Sequence, residues 1–192
     1  MYKRQIEYFS PEIAGLLTEE LEEALDANAP VCVDTTPANL PYLGLLSELL
    51  PDAKFVLCQR DSRDTCVSIY EQPLSSAHAY ANSLTDLGRY YTANFRLSQH
   101  WRGLLGDRLH MVQYERMTAN PAREIEQLLY ACGLPLEPQC LEPHLYERAV
   151  ITPSATQVRQ PVNRRSVGRW KHYENHLGPL LEHLPSASFY EP

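Results

Sequence analysis

Short apolar runs alternate with amphipathic stretches along most of the chain. Residues 31–34, 54–59 and 109–114 are apolar runs of strand length, and they predict three strands. Stretches with helical spacing of apolar residues lie between them. A parallel crossover needs a connection of helix length, so strands that alternate with helices predict parallel pairing. The pattern therefore predicts an α/β fold, with a central, mainly parallel sheet flanked by helices.

The helical stretches carry local start and stop signals. Ser10-Pro11-Glu12 supplies a cap, a first-turn proline and an acid for a helix that we expect to run to about Asp26. Asn39 to Leu50 has leucines at helical spacing, and Pro51 follows as a stop. Further helices are predicted over residues 61–71, 85–105, 120–133 and 167–177, and residues 74–83 are predicted to form a loop.

Composition indicates one ordinary globular domain. The chain has 192 residues, of which 44% are hydrophobic and 21% charged. We expect a single domain with an N-terminal helical segment, an α/β core and an irregular, proline-rich C-terminal segment, over residues 1–30, 31–134 and 135–192. The five cysteines include no CxxC pair, which argues against a zinc site or a disulfide framework. With no signal-peptide pattern and no run of membrane length, a cytoplasmic protein is expected.

The net charge of −7 is unevenly distributed. Residues 1–53 hold ten acids and two bases, a net of −8, whereas residues 54–192 hold fourteen acids and fifteen bases, a net of +1. The densest basic cluster is Arg159, Arg164, Arg165, Arg169 and Lys171. One basic locus on an acidic protein suits a small anionic ligand, whereas a nucleic acid favours a broad basic face. We therefore expect neither a nucleic-acid partner nor a membrane partner.

The apolar run at 54–59 leads directly into a cluster of charged and hydroxyl residues, RDSRDTCVS. Arg60 follows the predicted strand, and Ser68 lies eight residues later, about two helical turns along the next helix. In parallel α/β sheets, ligands bind beyond the carboxyl ends of strands, where helix N-termini attract phosphate. An arginine fork and a hydroxyl at this spacing could hold one phosphate. On the charge pattern alone, a solvated, self-paired helix start is the favoured interpretation, and a phosphate site is the alternative that stays open.

The stretch 54–68, KFVLCQRDSRDTCVS, resembles the 3′-phosphate-binding strand, turn and helix of sulfotransferases that use 3′-phosphoadenosine 5′-phosphosulfate (PAPS). Three further stretches resemble this family in the same order: DLGRYY at 86–91, MVQYE at 111–115 and QVRQPVNRRSVGRW at 157–170. The last is similar to the tyrosylprotein sulfotransferase-like branch, especially its bacterial relatives linked to tetratricopeptide repeats.

This resemblance implies a P-loop-NTPase-like three-layer fold. It also implies transfer of a sulfuryl group from PAPS to a hydroxyl or amine acceptor, with release of 3′-phosphoadenosine 5′-phosphate (PAP) and without a metal. The acceptor is expected to be a small molecule or a peptide, and a homodimer is left open. The resemblance assigns Arg60 and Ser68 to the 3′-phosphate and Tyr114 to the adenine. It further implies that the C-terminal segment closes the cofactor site through Ser154 and Arg169, with Arg63 and Thr65 as second-rank candidates.

Two departures from the family pattern favour an alternative. The chain has no counterpart of the RSGT-like loop that holds the 5′-phosphosulfate in relatives, so we interpret it as a truncated copy that lacks the first strand, that loop and the catalytic base. Thr35 stands where the DKxPxN pattern of relatives has a lysine, and a hydroxyl cannot neutralise charge. The alternative is a catalytically impaired fragment that binds a 3′-phosphoadenosine nucleotide or acts only with a partner chain.

Overall fold

The structure is a computed structural model that describes residues 31, 33–74, 76–145 and 158–186. It forms two compact units, residues 1–53 and 54–192. The helix expected at 10–26 and the candidate Ser154 lie outside the described residues. The expectation of one domain over the whole chain stays a prediction.

The described part of the first unit is mainly one helical run. A 3-10 helix, Pro37–Tyr42, leads directly into helix α1, Leu43–Leu49, so the helix predicted over 39–50 is confirmed for most of its length. Pro41, inside this first part, has no amide hydrogen and cannot donate the α-helical hydrogen bond to the carbonyl of Pro37.

The strand predicted at 31–34 was wrong. The described residues of that run are not in a strand, and Val33 is 75% exposed. An apolar run becomes a strand only where a neighbouring strand completes its hydrogen-bond ladder. In the described residues, only β1 and β2 of the second unit form such a pair.

The second unit contains a small parallel sheet. Strands β1, Phe55–Gln59, and β2, Leu109–Gln113, pair in parallel with Gln59 opposite Gln113. The strands predicted at 54–59 and 109–114 and their parallel pairing are thereby confirmed, although Tyr114 already begins the next helix. Parallel sheets are usually covered on both faces. Here Val56 on β1 is 43% exposed, so this strand is covered on one face only.

The crossover between the two strands is helical. Helix α2, Ser62–Tyr70, follows β1, and helix α3, Leu84–Leu105, precedes β2, in agreement with the predicted helices at 61–71 and 85–105. The side chains of Asp61 and Ser83 cap the two helices by accepting backbone N–H groups of the first turn. The predicted loop at 74–83 contains a 3-10 helix, Ser76–Asn82.

Two helices follow β2. Helix α4, Tyr114–Ala119, leads into helix α5, Pro121–Cys132, which Asn120 caps and which Gly133 ends in the left-handed conformation at φ 72°. This confirms the predicted helix from Asn120 to Gly133. Between 135 and 145 the chain forms only short 3-10 helices, Pro138–Leu141 and Pro143–Leu145. No helix in the described ranges is long and apolar enough to cross a membrane.

The C-terminal segment completes the hydrophobic core. It forms a 3-10 helix, Arg169–His176, and helix α6, Gly178–Leu181. The helix predicted over 167–177 is therefore 3-10, and it starts only after Gly168, which is left-handed at φ 75°. The core joins residues of α2 and α3 to this segment: Cys66, Val67, Leu87, Trp170, Leu177 and Leu180.

Candidate functional site

Arg60 is fixed at the carboxyl edge of the sheet by contacts from several parts of the chain. Its Nη2 donates a hydrogen bond to the carbonyl oxygen of Ser166 and lies 3.8 Å from Oδ2 of Asp64. Its guanidinium carbon lies 4.8 Å from the centre of the Tyr114 ring. The hydroxyl of Tyr91 donates to the Arg60 carbonyl over 3.3 Å. With its side chain only 19% exposed, Arg60 is a partly buried cation in a defined place.

The guanidinium has donors that no acceptor in the described residues uses, and one of them is buried. Among the described residues, Arg60 Nε is buried and has no hydrogen-bond partner. A buried donor without an acceptor costs about 1–3 kcal/mol. Nε is closed to solvent, so an anionic oxygen reaches it only if the guanidinium turns or the segment at Ser166 moves, and it would then remove that cost with a charge-assisted hydrogen bond. The edge of the sheet at Arg60 is thus complementary to an anion.

Asp64 connects this edge to the C-terminal segment. It is 1% exposed, its Oδ2 accepts the backbone N–H of Gly168 over 2.7 Å, and its Oδ1 accepts that of Trp170 over 2.9 Å. The left-handed conformation of Gly168 brings both N–H groups onto one carboxylate, and a side chain at that position would be strained. The carboxylate that faces Arg60 therefore also holds the turn around Gly168.

The second-rank candidates Arg63 and Thr65 are satisfied within the helix start. Arg63 forms a two-point contact with Asp61, at 2.5 Å and 3.0 Å, and its guanidinium lies 3.9 Å above the Trp170 ring. The Thr65 hydroxyl donates to the Asp61 carbonyl over 2.9 Å. Burial raises the pKa of Asp61, but hydrogen bonds and charge from Arg63 outweigh it and hold that pKa below its ordinary value. Self-pairing of the helix start thus accounts for Arg63, whereas Arg60 faces Asp64 at 3.8 Å and also contacts Ser166 and Tyr114, outside the helix start.

Ser68 and Arg169 lie farther along α2. Asp64, Ser68 and Glu71 are spaced four and three residues apart, so they occupy one face of the helix. Asp64 and Glu71 both bind the C-terminal segment, and half-buried Ser68 lies between them on that face. Arg169 is paired with Glu71 at 2.7 Å, at the opposite end of α2 from Arg60. The structure thus brings Arg60 and Tyr114 together, places Ser68 on the adjoining helix face and engages Arg169 elsewhere.

The two strand ends are joined by a residue that the sequence did not single out. Glu115 Oε1 accepts the backbone N–H of Asp61 over 2.9 Å, and its Oε2 accepts from the Gln113 side chain over 2.8 Å. This links the chain after β1 to the chain after β2. Glu115 directly follows the candidate Tyr114 at the predicted end of a strand, and this position could have marked it as a candidate residue.

Thr35, in the first unit, is exposed within a short polar turn. Asp34 Oδ1 accepts the backbone N–H of Thr36 over 2.8 Å, and its Oδ2 accepts from the Asn39 side chain over 2.6 Å. These hydrogen bonds from Thr36 and Asn39 lower the pKa of Asp34. In the described parts of both units, no three His, Cys, Asp or Glu side chains are grouped as metal ligands would be.

A partly buried arginine at the carboxyl edge of parallel strands has the charge and the position that an anion-binding site needs. Comparison with known proteins specifies the class further. The family model described as "Sulfotransferase family" matches residues 3–138. The chain belongs to the sulfotransferase family, so the resemblance to this family is confirmed. Three of the four stretches lie within the matched residues, and the stretch at 157–170 lies outside them.

Two relatives show how much of a longer protein the chain spans. An uncharacterized protein of Aquifex aeolicus (strain VF5) is 34% identical over 163 residues, which cover 83% of this chain and 21% of that protein. The protein-tyrosine sulfotransferase of Drosophila melanogaster is 25% identical over 150 residues, which cover 74% of this chain and 30% of that protein. The chain therefore spans less than a third of the length of either relative.

Proposed function

We propose that the chain transfers a sulfuryl group from PAPS to a hydroxyl or amine acceptor and releases PAP. Membership of the sulfotransferase family supports sulfuryl transfer. The observation that carries the choice of donor is the place of Arg60, a partly buried cation directly after β1 whose Nε has no partner among the described residues. A 3′-phosphate oxygen is the ligand group that would accept its hydrogen bond. On the same grounds we propose a P-loop-NTPase-like three-layer fold for the domain.

Each candidate side chain has a role in holding the nucleotide under this proposal. Arg60 and Ser68 bind the 3′-phosphate, and Tyr114, whose ring lies beside Arg60, is near the adenine. Ser154 and Arg169 close the site from the C-terminal segment, and Arg169 must exchange its pairing with Glu71 to do so. Arg63 and Thr65 shape the start of α2.

PAPS supplies an activated sulfuryl group, and the protein contributes positioning and neutralisation of charge. The acceptor oxygen forms a bond to sulfur while the bond from sulfur to the phosphate of PAP breaks, and PAP takes the electron pair. The acceptor proton passes to a base that we do not assign. Because the Drosophila relative is named a protein-tyrosine sulfotransferase, a tyrosine hydroxyl in a peptide is the first acceptor to test.

Thr35 favours a second candidate function. Relatives carry a lysine at this position by the sequence resemblance, and Thr35 has no charge to offer a leaving phosphate. Loss of one such partner in the transition state costs about 10²–10³ in rate. The chain would then bind a 3′-phosphoadenosine nucleotide with little turnover, or act only with a partner chain, a second copy of itself included.

The test is release of PAP from PAPS in the presence of a tyrosine-containing peptide, for the unmodified chain, Thr35→Lys and Thr35→Ser. We expect release that depends on the peptide, and a rate increase of about 10²–10³ in Thr35→Lys without a change in PAP affinity. Thr35→Ser keeps the hydroxyl and should match the unmodified chain. If neither the unmodified chain nor Thr35→Lys turns over although both bind PAP, the second candidate function replaces the first.

A further inference from the structure

We propose that Asp64 is a positioning residue that couples docking of the segment 166–170 to binding of a 3′-phosphate at Arg60. The inference rests on the proposed function of Arg60. Asp64 is 1% exposed and uses both carboxylate oxygens, one on the N–H of Gly168 and the other on that of Trp170. Its Oδ2 lies 3.8 Å from Nη2 of Arg60. One buried carboxylate therefore contacts both partners of the proposed coupling.

The coupling passes through the backbone of Ser166. Arg60 donates from Nη2 to the carbonyl of Ser166, two residues before the glycine that Asp64 holds. The orientation of the guanidinium, and with it the direction in which the unused Nε points, thus depends on where the segment lies. Without Asp64 the N–H groups of Gly168 and Trp170 lose their acceptors, and Ser166 is no longer fixed against Arg60.

Asp64 also has an effect on PAP affinity that opposes its positioning role. A carboxylate close to a phosphate repels it, so Asp64→Asn would tighten PAP binding if charge alone mattered. Two backbone N–H groups and the Arg60 guanidinium already compensate this charge. We therefore expect loss of position to outweigh relief of repulsion. The sign of the change in PAP affinity distinguishes the two effects.

The test is calorimetric titration of PAP and of AMP, which lacks the 3′-phosphate, into the unmodified chain, Asp64→Asn, Arg60→Ala and the double variant. We expect Asp64→Asn to weaken PAP about tenfold, the factor of one charge-assisted hydrogen bond, and to leave AMP unchanged. In the Arg60→Ala background, Asp64→Asn should cause no further loss of PAP affinity, because it acts through Arg60.

Thr92→Val is the matched control. The Thr92 hydroxyl on α3 donates to the carbonyl of His183 over 2.5 Å and so anchors the same C-terminal segment at another place. Its loss should leave the preference for PAP over AMP unchanged. An equal drop of that preference in Thr92→Val and Asp64→Asn would reduce Asp64 to a structural anchor and overturn the inference.

The remaining outcomes separate this inference from the proposed function. Unchanged or tighter PAP binding in Asp64→Asn, with the preference for PAP lost in Arg60→Ala, overturns the role of Asp64 alone. A preference that survives Arg60→Ala overturns the proposed 3′-phosphate site and the inference with it.

Hydrogen exchange on the unmodified chain gives the same answer if Asp64→Asn does not fold. PAP should slow exchange of the Gly168 and Trp170 amides more than AMP does, because coupling between two sites is reciprocal. Equal protection by the two nucleotides would contradict the coupling.

Discussion

Replacement of Gly88 by alanine should loosen the contact between α3 and the C-terminal segment. Gly88 is buried, and a Cβ atom there would lie 2.9 Å from the carbonyl oxygen of Leu180 and 3.0 Å from Cβ of His183. The closer atom belongs to the backbone of α6, and Leu180 itself is fully buried in the core. Helix α6 must therefore shift away from α3 as a whole, because the clashing atom is backbone and cannot turn aside as a flexible side chain would.

The expected change in the free energy of unfolding of Gly88→Ala is the difference between two effects. Overpacking costs about 1–3 kcal/mol, and a backbone clash places this site in the upper half of that range. Alanine in a helix interior regains up to about 1 kcal/mol relative to glycine. The net loss of about 1–2 kcal/mol corresponds to a melting temperature lower by about 2–8 °C in a chain of this length.

Thermal unfolding followed by circular dichroism is the assay, and Gly103→Ala is the matched control in the same helix. No atom lies within 4 Å of a Cβ built at Gly103, so only the gain in helix propensity applies. Gly103→Ala should raise the melting temperature by about 2–4 °C. If Gly88→Ala stabilised the chain as much as Gly103→Ala, the close packing of α3 against α6 would be refuted.

Two further predictions concern stability. Burial, with the negative charge of Asp61, raises the pKa of the Cys66 thiol from 9.0 to about 12. Above pH 9.0 the Cys66 thiol of the unfolded chain loses a proton that the folded chain keeps up to about pH 12. In that window the free energy of unfolding should fall by roughly 1 kcal/mol per pH unit. Urea unfolding at about pH 8 and about pH 10 should show a smaller fall in Cys66→Ala, and an equal fall would exclude Cys66 as its source. Arg116 contacts the buried carboxylate of Glu124 through Nε and Nη2, at 3.2 Å and 3.1 Å. Because the Arg116 side chain is 54% exposed, solvent screens this pair, and urea unfolding of Arg116→Ala should show a loss of about 0.5–1 kcal/mol. Arg116→Ala/Glu124→Gln should partly restore it, and a double variant no more stable than the single one would contradict this pairing.

The parts of the fold that depend on local chemistry could be predicted from the sequence. The cap at Asn120 and the left-handed Gly133 mark α5 through their own side chain and backbone preferences. The run at 54–59 followed by a helix signal placed Arg60 at a strand end. The run at 31–34 looks equally strand-like, but whether it pairs depends on a neighbour that local pattern does not encode.

The candidate site could be predicted from the sequence only in part, for the same reason. The pattern favoured a solvated cluster of Asp61, Arg63 and Asp64 without excluding a phosphate site, and it did not indicate that Asp64 is buried. Its partners are backbone N–H groups 104 and 106 residues away, which no spacing within the motif indicates. Ser166 contributes its carbonyl oxygen to Arg60, so the identity of its side chain carried no signal.

The most direct test of the central claim is thermal unfolding with PAP and with AMP, for the unmodified chain, Arg60→Ala and Arg102→Ala. A ligand at about 100 times its dissociation constant stabilises the folded chain by roughly 2.7 kcal/mol, which raises the melting temperature of a chain of this length by about 5–11 °C. Arg102, exposed in the last turn of α3, controls for loss of one positive charge. The account predicts a shift with PAP that AMP does not give, that Arg102→Ala keeps and that Arg60→Ala abolishes. Equal shifts with both nucleotides, or a PAP shift that survives Arg60→Ala, would contradict a 3′-phosphate site at Arg60.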